Sequence, residues 1–188
     1  MLELLAVGSD PEAGRAVAAS TGGIAYLAGP DGDRPPTYRS LVRAVTADRT
    51  ALDPAADLGL HIVYARRVKA HPVAWAPGEP TPGVVATFAM LARPGLTHEE
   101  CDAHWRDVHA PLALRHHVGM WDYTQCSVVA TLSGTPYDGF ALCGFASEED
   151  LRERFFDGPE GQAAIRADVA TFTDMERSPR RVLMTEWL

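Results

Sequence analysis

Apolar positions in the second half of the chain follow two periods. Val84 to Leu91 is a strand-length apolar run, closed by the turn residues Arg93, Pro94 and Gly95. From Thr97 the spacing becomes helical. Thr97-His-Glu-Glu100 has capping-box form, Leu96 is placed to staple onto Cys101, and Cys101, Trp105, Val108 and Leu112 form one inward stripe at i, i+4, i+7 and i+11. Pro111 and the stretch from His116 to Gly119 disturb or end that helix. Trp121 to Leu132 and Tyr137 to Phe145 read as two strands joined by a hairpin connection through Gly134 and Pro136. Ser147-Glu-Glu-Asp150 opens a second helix, with Leu151, Phe155 and Phe156 inward. Gly158-Pro159 breaks it before it resumes through Ile165, Val169 and Phe172, and Arg181 to Leu188 ends the chain as a strand. The order β-α-β-β-α-β predicts an α+β, ferredoxin-like arrangement, with two helices over one face of a four-stranded antiparallel sheet. The other sheet face is apolar and needs a partner. A second such sheet, closing a barrel, is the expected solution.

The first half repeats that order with shrunken helices. Leu2 to Val7 reads as a strand, Pro11 to Ser20 as a short helix, Gly23 to Leu27 and Tyr38 to Val45 as strands, Asp53 to Leu58 as a helical turn and Leu60 to Val68 as a strand. Between Trp75 and Gly83 three prolines and two glycines fall within nine residues, which marks a linker. The expected organisation is a degenerate ferredoxin-like half over residues 1–74, a linker over 75–83 and a second half over 84–188. If the first half is a true repeat, the chain closes its own barrel as a monomeric pseudo-dimer; if not, a homodimer is needed.

Composition narrows the partners. The 188 residues carry a formal net charge of −8 with no basic run, which argues against a nucleic acid or an anionic membrane. Three cysteines, widely spaced among apolar residues, suit neither a disulfide framework nor a zinc ribbon. The start has no basic leader and no segment approaches a membrane span, so the expected location is cytoplasmic. Gly29, Gly32 and Gly78 sit among turn prolines and form no phosphate loop, so no nucleotide cofactor is expected, and there is no nucleophile elbow for Ser-His-Asp hydrolysis. On an ideal helix His104 and His109 point about 140° apart, and no helical His-x-x-x-His pair occurs, so no metal is expected.

The stretch from Phe88 to Ala113, with Arg93-Pro94-Gly95, the acidic capping run, Trp105 and His109-Ala-Pro-Leu112, resembles the EthD family of the dimeric α+β barrel superfamily. Tyr123-Thr-Gln125, Asp138-Gly139, the run from Phe145 to Asp150, and Asp168 to Phe172 match in order and spacing, and His104 replaces the customary aromatic before Trp105. The resemblance implies paired ferredoxin-like sheets closed as a dimeric-type α+β barrel with a ligand space inside. It does not imply one reaction. Similar domains act in fungal polyketide pathways as cofactor-free dehydratases or decarboxylases, and related barrels bind haem or act as monooxygenases.

His109 is the leading candidate for chemistry, at the margin of the inward helical stripe, because an imidazole exchanges protons near neutral pH. Capping of helix-end carbonyls is its plainer use. Asp168 lies three residues from Ile165 and four from Phe172, on the buried side of the last helix, where a carboxylate needs a partner. His109 and the hydroxyl of Tyr123 are the candidates, with Arg166 or water as the alternative. Tyr123 and Gln125 share one strand face and suit ligand orientation if that face lines the barrel; Trp105 packs the wall. The expected function is a cofactor-independent lyase acting on a small apolar or aromatic, polyketide-like molecule. In it His109 is the general acid/base, Asp168 its orienting group, and Tyr123, Gln125 and Trp105 form the substrate contacts. Two other readings fit the same residues: a non-catalytic barrel binding a small ligand, and a haem-dependent oxidative protein.

Overall fold

The computed structural model describes residues 1–29, 35–71 and 75–188. Eight strands, β1 (Leu2–Gly8), β2 (Ile24–Ala28), β3 (Ser40–Ala44), β4 (Gly59–Lys69), β5 (Val84–Met90), β6 (Met120–Gly134), β7 (Gly139–Phe145) and β8 (Val182–Trp187), close into an antiparallel barrel in the order β1-β3-β2-β8-β5-β7-β6-β4. Closure takes place within one chain, with β4 pairing to β1 on one side and to β6 on the other.

Helices lie outside the barrel. In the first half α1 (Pro11–Thr21) starts at Asp10, whose side chain accepts the Glu12 amide, and ends at Gly22 in the left-handed region. A 3₁₀ turn, Arg49–Ala55, stands where the sequence suggests a turn over Asp53 to Leu58. Asp48 starts it earlier by accepting the Thr50 amide. In the second half the outer face of β5, β6 and β7 is covered by α2 (His98–His104), a π-helical turn (Trp105–His109), α3 (Ala110–His116), α4 (Glu148–Glu153) and α5 (Pro159–Phe172). The capping box at Thr97 and Glu100 forms as read, and Leu96 packs beside Cys101.

Alternation along each strand sorts the side chains into two layers. Inward residues, among them Leu5, Tyr38, Leu41, Val63, Phe140 and Met184, fill the barrel. Of its polar groups, Tyr38 and Thr87 share a hydrogen bond of 3.0 Å and Arg43 meets Glu3 at 2.8 Å, while His61 Nε2 is buried without a hydrogen-bond partner among the described residues. The expected ligand space inside the barrel is therefore corrected. Large side chains from both halves occupy it, and the open volume lies in the second layer, between sheet and helices. The residues from Trp75 to Gly83 dock on the end of β8, where Thr81 donates its amide to the Glu186 carbonyl across 2.8 Å. Among the described residues no helix is long and apolar enough to cross a membrane.

Candidate functional site

Pro111 shapes the site. It has no amide proton to give to a carbonyl one turn back, and its ring crowds the carbonyl four residues earlier, so the helix widens just before it. Ala110 donates to the Trp105 carbonyl, five residues back, and the π turn results. The wider turn rotates everything beyond it. Val108, placed inward by ideal helical spacing, is 49% exposed, whereas His109 is 8% exposed and lies inside. The same rotation brings His104 and His109 to one side of the helix, against their ideal-helix separation of about 140°.

Asp168 on α5 takes both rings. His109 Nδ1 lies 2.7 Å from Asp168 Oδ2, and His104 Nε2 lies 2.7 Å from Oδ1. An ionised carboxylate only accepts, so each facing ring nitrogen carries the proton. For His109 this leaves Nε2 as the lone-pair atom. Burial lowers the His109 pKa below its ordinary value, an effect larger than the opposing pull of the Asp168 hydrogen bond and charge. The ring is thus neutral near pH 7. Phe172 packs against both imidazoles, with centroids 5.0 Å from His104 and 5.2 Å from His109.

The lone-pair side of His109 borders a cavity of about 350 Å³ whose walls include Phe88, Trp105, Tyr123, Phe155 and Phe172. The glycine at 139 makes one wall possible. A Cβ there would meet the Trp105 ring at 2.6 Å, so only glycine lets the indole lie this close to β7. Trp105 Nε1 donates to the Tyr123 hydroxyl across 3.1 Å, and Gln125 Nε2 donates to the same oxygen across 3.0 Å. Burial pushes the Tyr123 phenol well above its ordinary range, so it stays protonated. With two donors on its oxygen, its own proton is the group left to give.

Gln125 is fully buried and lies outside the cavity lining. Its amide also donates to the Trp105 carbonyl across 3.0 Å, and its oxygen accepts from Arg66 at 2.7 Å. Arg66 in turn holds Asp102 through both carboxylate oxygens, at 2.7 and 2.9 Å. A strand of the first half therefore braces the π turn. The face carrying Tyr123 and Gln125 looks toward the helices and not into the barrel, because Cys126 and Val128 take the inward positions of β6.

His117 is a second lining imidazole, which the sequence marks as part of a disturbed helix end and as one of four histidines that invite a metal reading. The expectation that Phe155 and Phe156 ride inward on a helix is also corrected. The helix α4 stops at Glu153, and both rings lie in the segment leading to α5, where they wall the cavity. Cys143 reaches the cavity as well, but burial raises its thiol pKa to about 12, so it supplies no thiolate. Among the described residues no group of three or more His, Cys, Asp or Glu side chains is arranged to hold a metal ion.

The cavity between the outer face of the closed antiparallel barrel and its helix layer has an aromatic wall and a volume within the range common for small-molecule sites. Residues 93–176 match the model of the EthD domain. Among solved structures, an anthrone oxidase-like protein is 12% identical, with a TM-score of 0.56 over 100% of this chain and 90% of its own. A haem-degrading enzyme from Listeria monocytogenes is 10% identical, with a TM-score of 0.51 over 98% of both chains. A protein assigned as a monooxygenase from Lactobacillus acidophilus is 8% identical, with a TM-score of 0.51 over 98% and 91%. No curated protein sequence matches significantly. At these identities the likeness is one of fold. The names nonetheless run to oxidation, and the expected cofactor-independent lyase is withdrawn on that ground.

Proposed function

We propose that this chain is an oxidative enzyme that uses dioxygen on a small, enolisable aromatic molecule held between the barrel and its helices. The observation that carries the reading is the buried His109 ring, held at Nδ1 by Asp168 across 2.7 Å beside an aromatic-walled cavity. Such an imidazole is a general base.

His109 Nε2 removes a proton from a carbon activated by adjacent rings and a carbonyl, and an enolate forms. Tyr123 donates its proton as a hydrogen bond to the enolate oxygen. The enolate gives its electrons to dioxygen, a carbon–oxygen bond forms, and His109 returns the proton to the distal oxygen as a hydroperoxide. Removal of the second hydrogen on that carbon breaks the oxygen–oxygen bond and expels water. A CH2 group and one O2 become a C=O group and one H2O. Asp168 orients His109 and stabilises it when charged. Trp105 walls the substrate, and Gln125 acts at one remove by holding Tyr123 and the Trp105 carbonyl.

Haem would draw on the same residues: His109 would hold its iron, and the group would supply oxidative chemistry there. The propionates of a porphyrin would find Arg166, the single arginine or lysine among the described lining residues, at an exposed position, and about 350 Å³ is at the small end of ligand sites. The lining fits a bicyclic or tricyclic aromatic better than a porphyrin, and no step is assigned to haem.

The proposal extends to the chain's organisation: residues 1–74 form a degenerate ferredoxin-like half, joined by 75–83 to the EthD-bearing half at 84–188. Strand order supports this, because β4-β1-β3-β2 in the first half corresponds to β8-β5-β7-β6 in the second, and the two seams, β2 with β8 and β6 with β4, are equivalent. A monomer in sedimentation is expected, and a dimer that is lost only on unfolding would contradict it.

The functional test is oxygen uptake with anthrone as trial substrate, after subtraction of uncatalysed autoxidation. One O2 consumed per ketone formed, by protein lacking visible absorbance, supports the proposal. Tight binding with no uptake would favour a binding barrel, and activity that tracks a Soret band would favour haem.

A further inference from the structure

His117, at the C-terminal end of α3, is 6% exposed and lines the same cavity as His109. Its Nδ1 lies 2.6 Å from the Phe155 carbonyl oxygen. A carbonyl can only accept, so Nδ1 carries the proton and Nε2 carries the lone pair. The ring cannot turn to exchange the two nitrogens without losing that bond, and it is held flat on Phe155, with centroids 4.5 Å apart and planes 19° from parallel. Phe156 closes in from 5.1 Å. Burial keeps the ring neutral by lowering its pKa. Among the described residues nothing hydrogen-bonds to Nε2, and that atom is not among the polar atoms sealed inside the protein, so it opens on the cavity.

Two imidazoles thus face one apolar space with the same tautomer but different backing. His109 is backed by a carboxylate, which strengthens it as a base. A neutral carbonyl backs His117, which makes it an acceptor that holds a proton donor without readily taking the proton. A ligand with no O–H or N–H to offer would bury that lone pair unpaired, at a cost that discriminates strongly between otherwise identical ligands.

We infer that His117 Nε2 receives the hydroxyl of the substrate, and that the substrate class is therefore hydroxylated aromatics. This rests on the proposed oxidative reading and deepens it. An O–H hydrogen-bonded to imidazole pushes electron density into the ring it is attached to, which eases electron donation to dioxygen from the enolate that His109 creates. A phenol suits this role better than an aromatic amine, because its proton is the more strongly donated.

The experiment measures binding of 2-hydroxyanthraquinone and 2-methoxyanthraquinone by quenching of tryptophan fluorescence, without turnover. Wild-type protein is expected to bind the hydroxyl compound at least about tenfold more tightly, with a red shift in its visible absorption. His117→Phe is expected to bring the two affinities together while the methoxy compound still binds, and His117→Gln, which keeps an acceptor oxygen, to restore much of the preference. Equal binding of the two compounds by wild type, a preference that survives in His117→Phe, or binding of neither compound would overturn the inference. A protein that shows the preference but consumes no oxygen would sink the oxidative reading alone.

Discussion

His104 and His109, five residues apart in one helix, hold the two oxygens of a single carboxylate, each at 2.7 Å from Asp168. The arrangement gives Asp168 an unequal pair of partners. His109 is buried beside the cavity, while the His104 side chain is 29% exposed and also lies 3.3 Å from the Thr171 hydroxyl. Asp168→Asn removes the charge that raises the basicity of His109 and leaves burial to lower it further. Turnover is expected to fall about 100-fold with little change in KM, and the acidic limb of the pH–rate profile to move to lower pH. His104→Ala should cost only a few-fold, since the second oxygen of Asp168 remains on His109. Equal losses in the two variants would contradict the division of roles.

The π turn makes its own prediction. In Pro111→Ala the helix regains an amide and can relax to α geometry, which would swing Val108 inward and separate the two histidines. The expected result is an unchanged or higher Tm with turnover at least about tenfold lower. Full activity in that variant would mean that the turn does not depend on Pro111.

Gln125 satisfies three groups at once, the Trp105 carbonyl, the Tyr123 hydroxyl and Arg66, so Gln125→Leu should be costly although the residue lies outside the cavity lining. The Trp105 carbonyl loses a donor and Arg66 loses one of its two partners. A loss of about 1–3 kcal/mol in stability is expected from the unpaired buried groups, readable in denaturant unfolding. A change below a few tenths of that range would show that water replaces the amide.

Acid stability follows from three buried imidazoles. The pKa values of His109, His117 and His61 are all lowered by burial, that of His61 to about 4. A depressed histidine contributes stability that is complete above its unfolded pKa of about 6.5 and is lost as pH falls toward the folded value. Stability should therefore fall between about pH 6.5 and pH 4. His61→Phe, next to Tyr137 and Phe140, should remove part of that fall, up to about 3 kcal/mol, while leaving stability at pH 8 much less changed. A pH dependence identical to wild type would exclude His61 as a contributor.

Much of the architecture was readable because it rests on local signals. The capping residues Thr97 and Ser147, the break at Gly158-Pro159 and the strand-length apolar runs each fix an element by short-range chemistry. Asp168 was legible as a carboxylate on a buried face in need of a partner. The remainder depended on departures from ideal geometry. The inward stripe places Val108 where His109 lies, because no hydrophobic pattern announces a π turn; Pro111 is the local signal for it, and by itself a proline marks only a disturbed helix. The cavity was expected inside the barrel because periodicity shows that a strand has two faces without saying which one packs tightly. No local pattern gives the role of His117, because that role depends on a carbonyl 38 residues away in the chain, at Phe155.

The most direct test of the account is the rate of oxygen uptake with anthrone by wild type and His109→Ala, each with and without added imidazole. A loss of at least about 100-fold in the variant, partly restored by imidazole entering the space that the ring vacates, is the predicted result. Uptake by His109→Ala at the wild-type rate would contradict it and remove His109 from the chemistry.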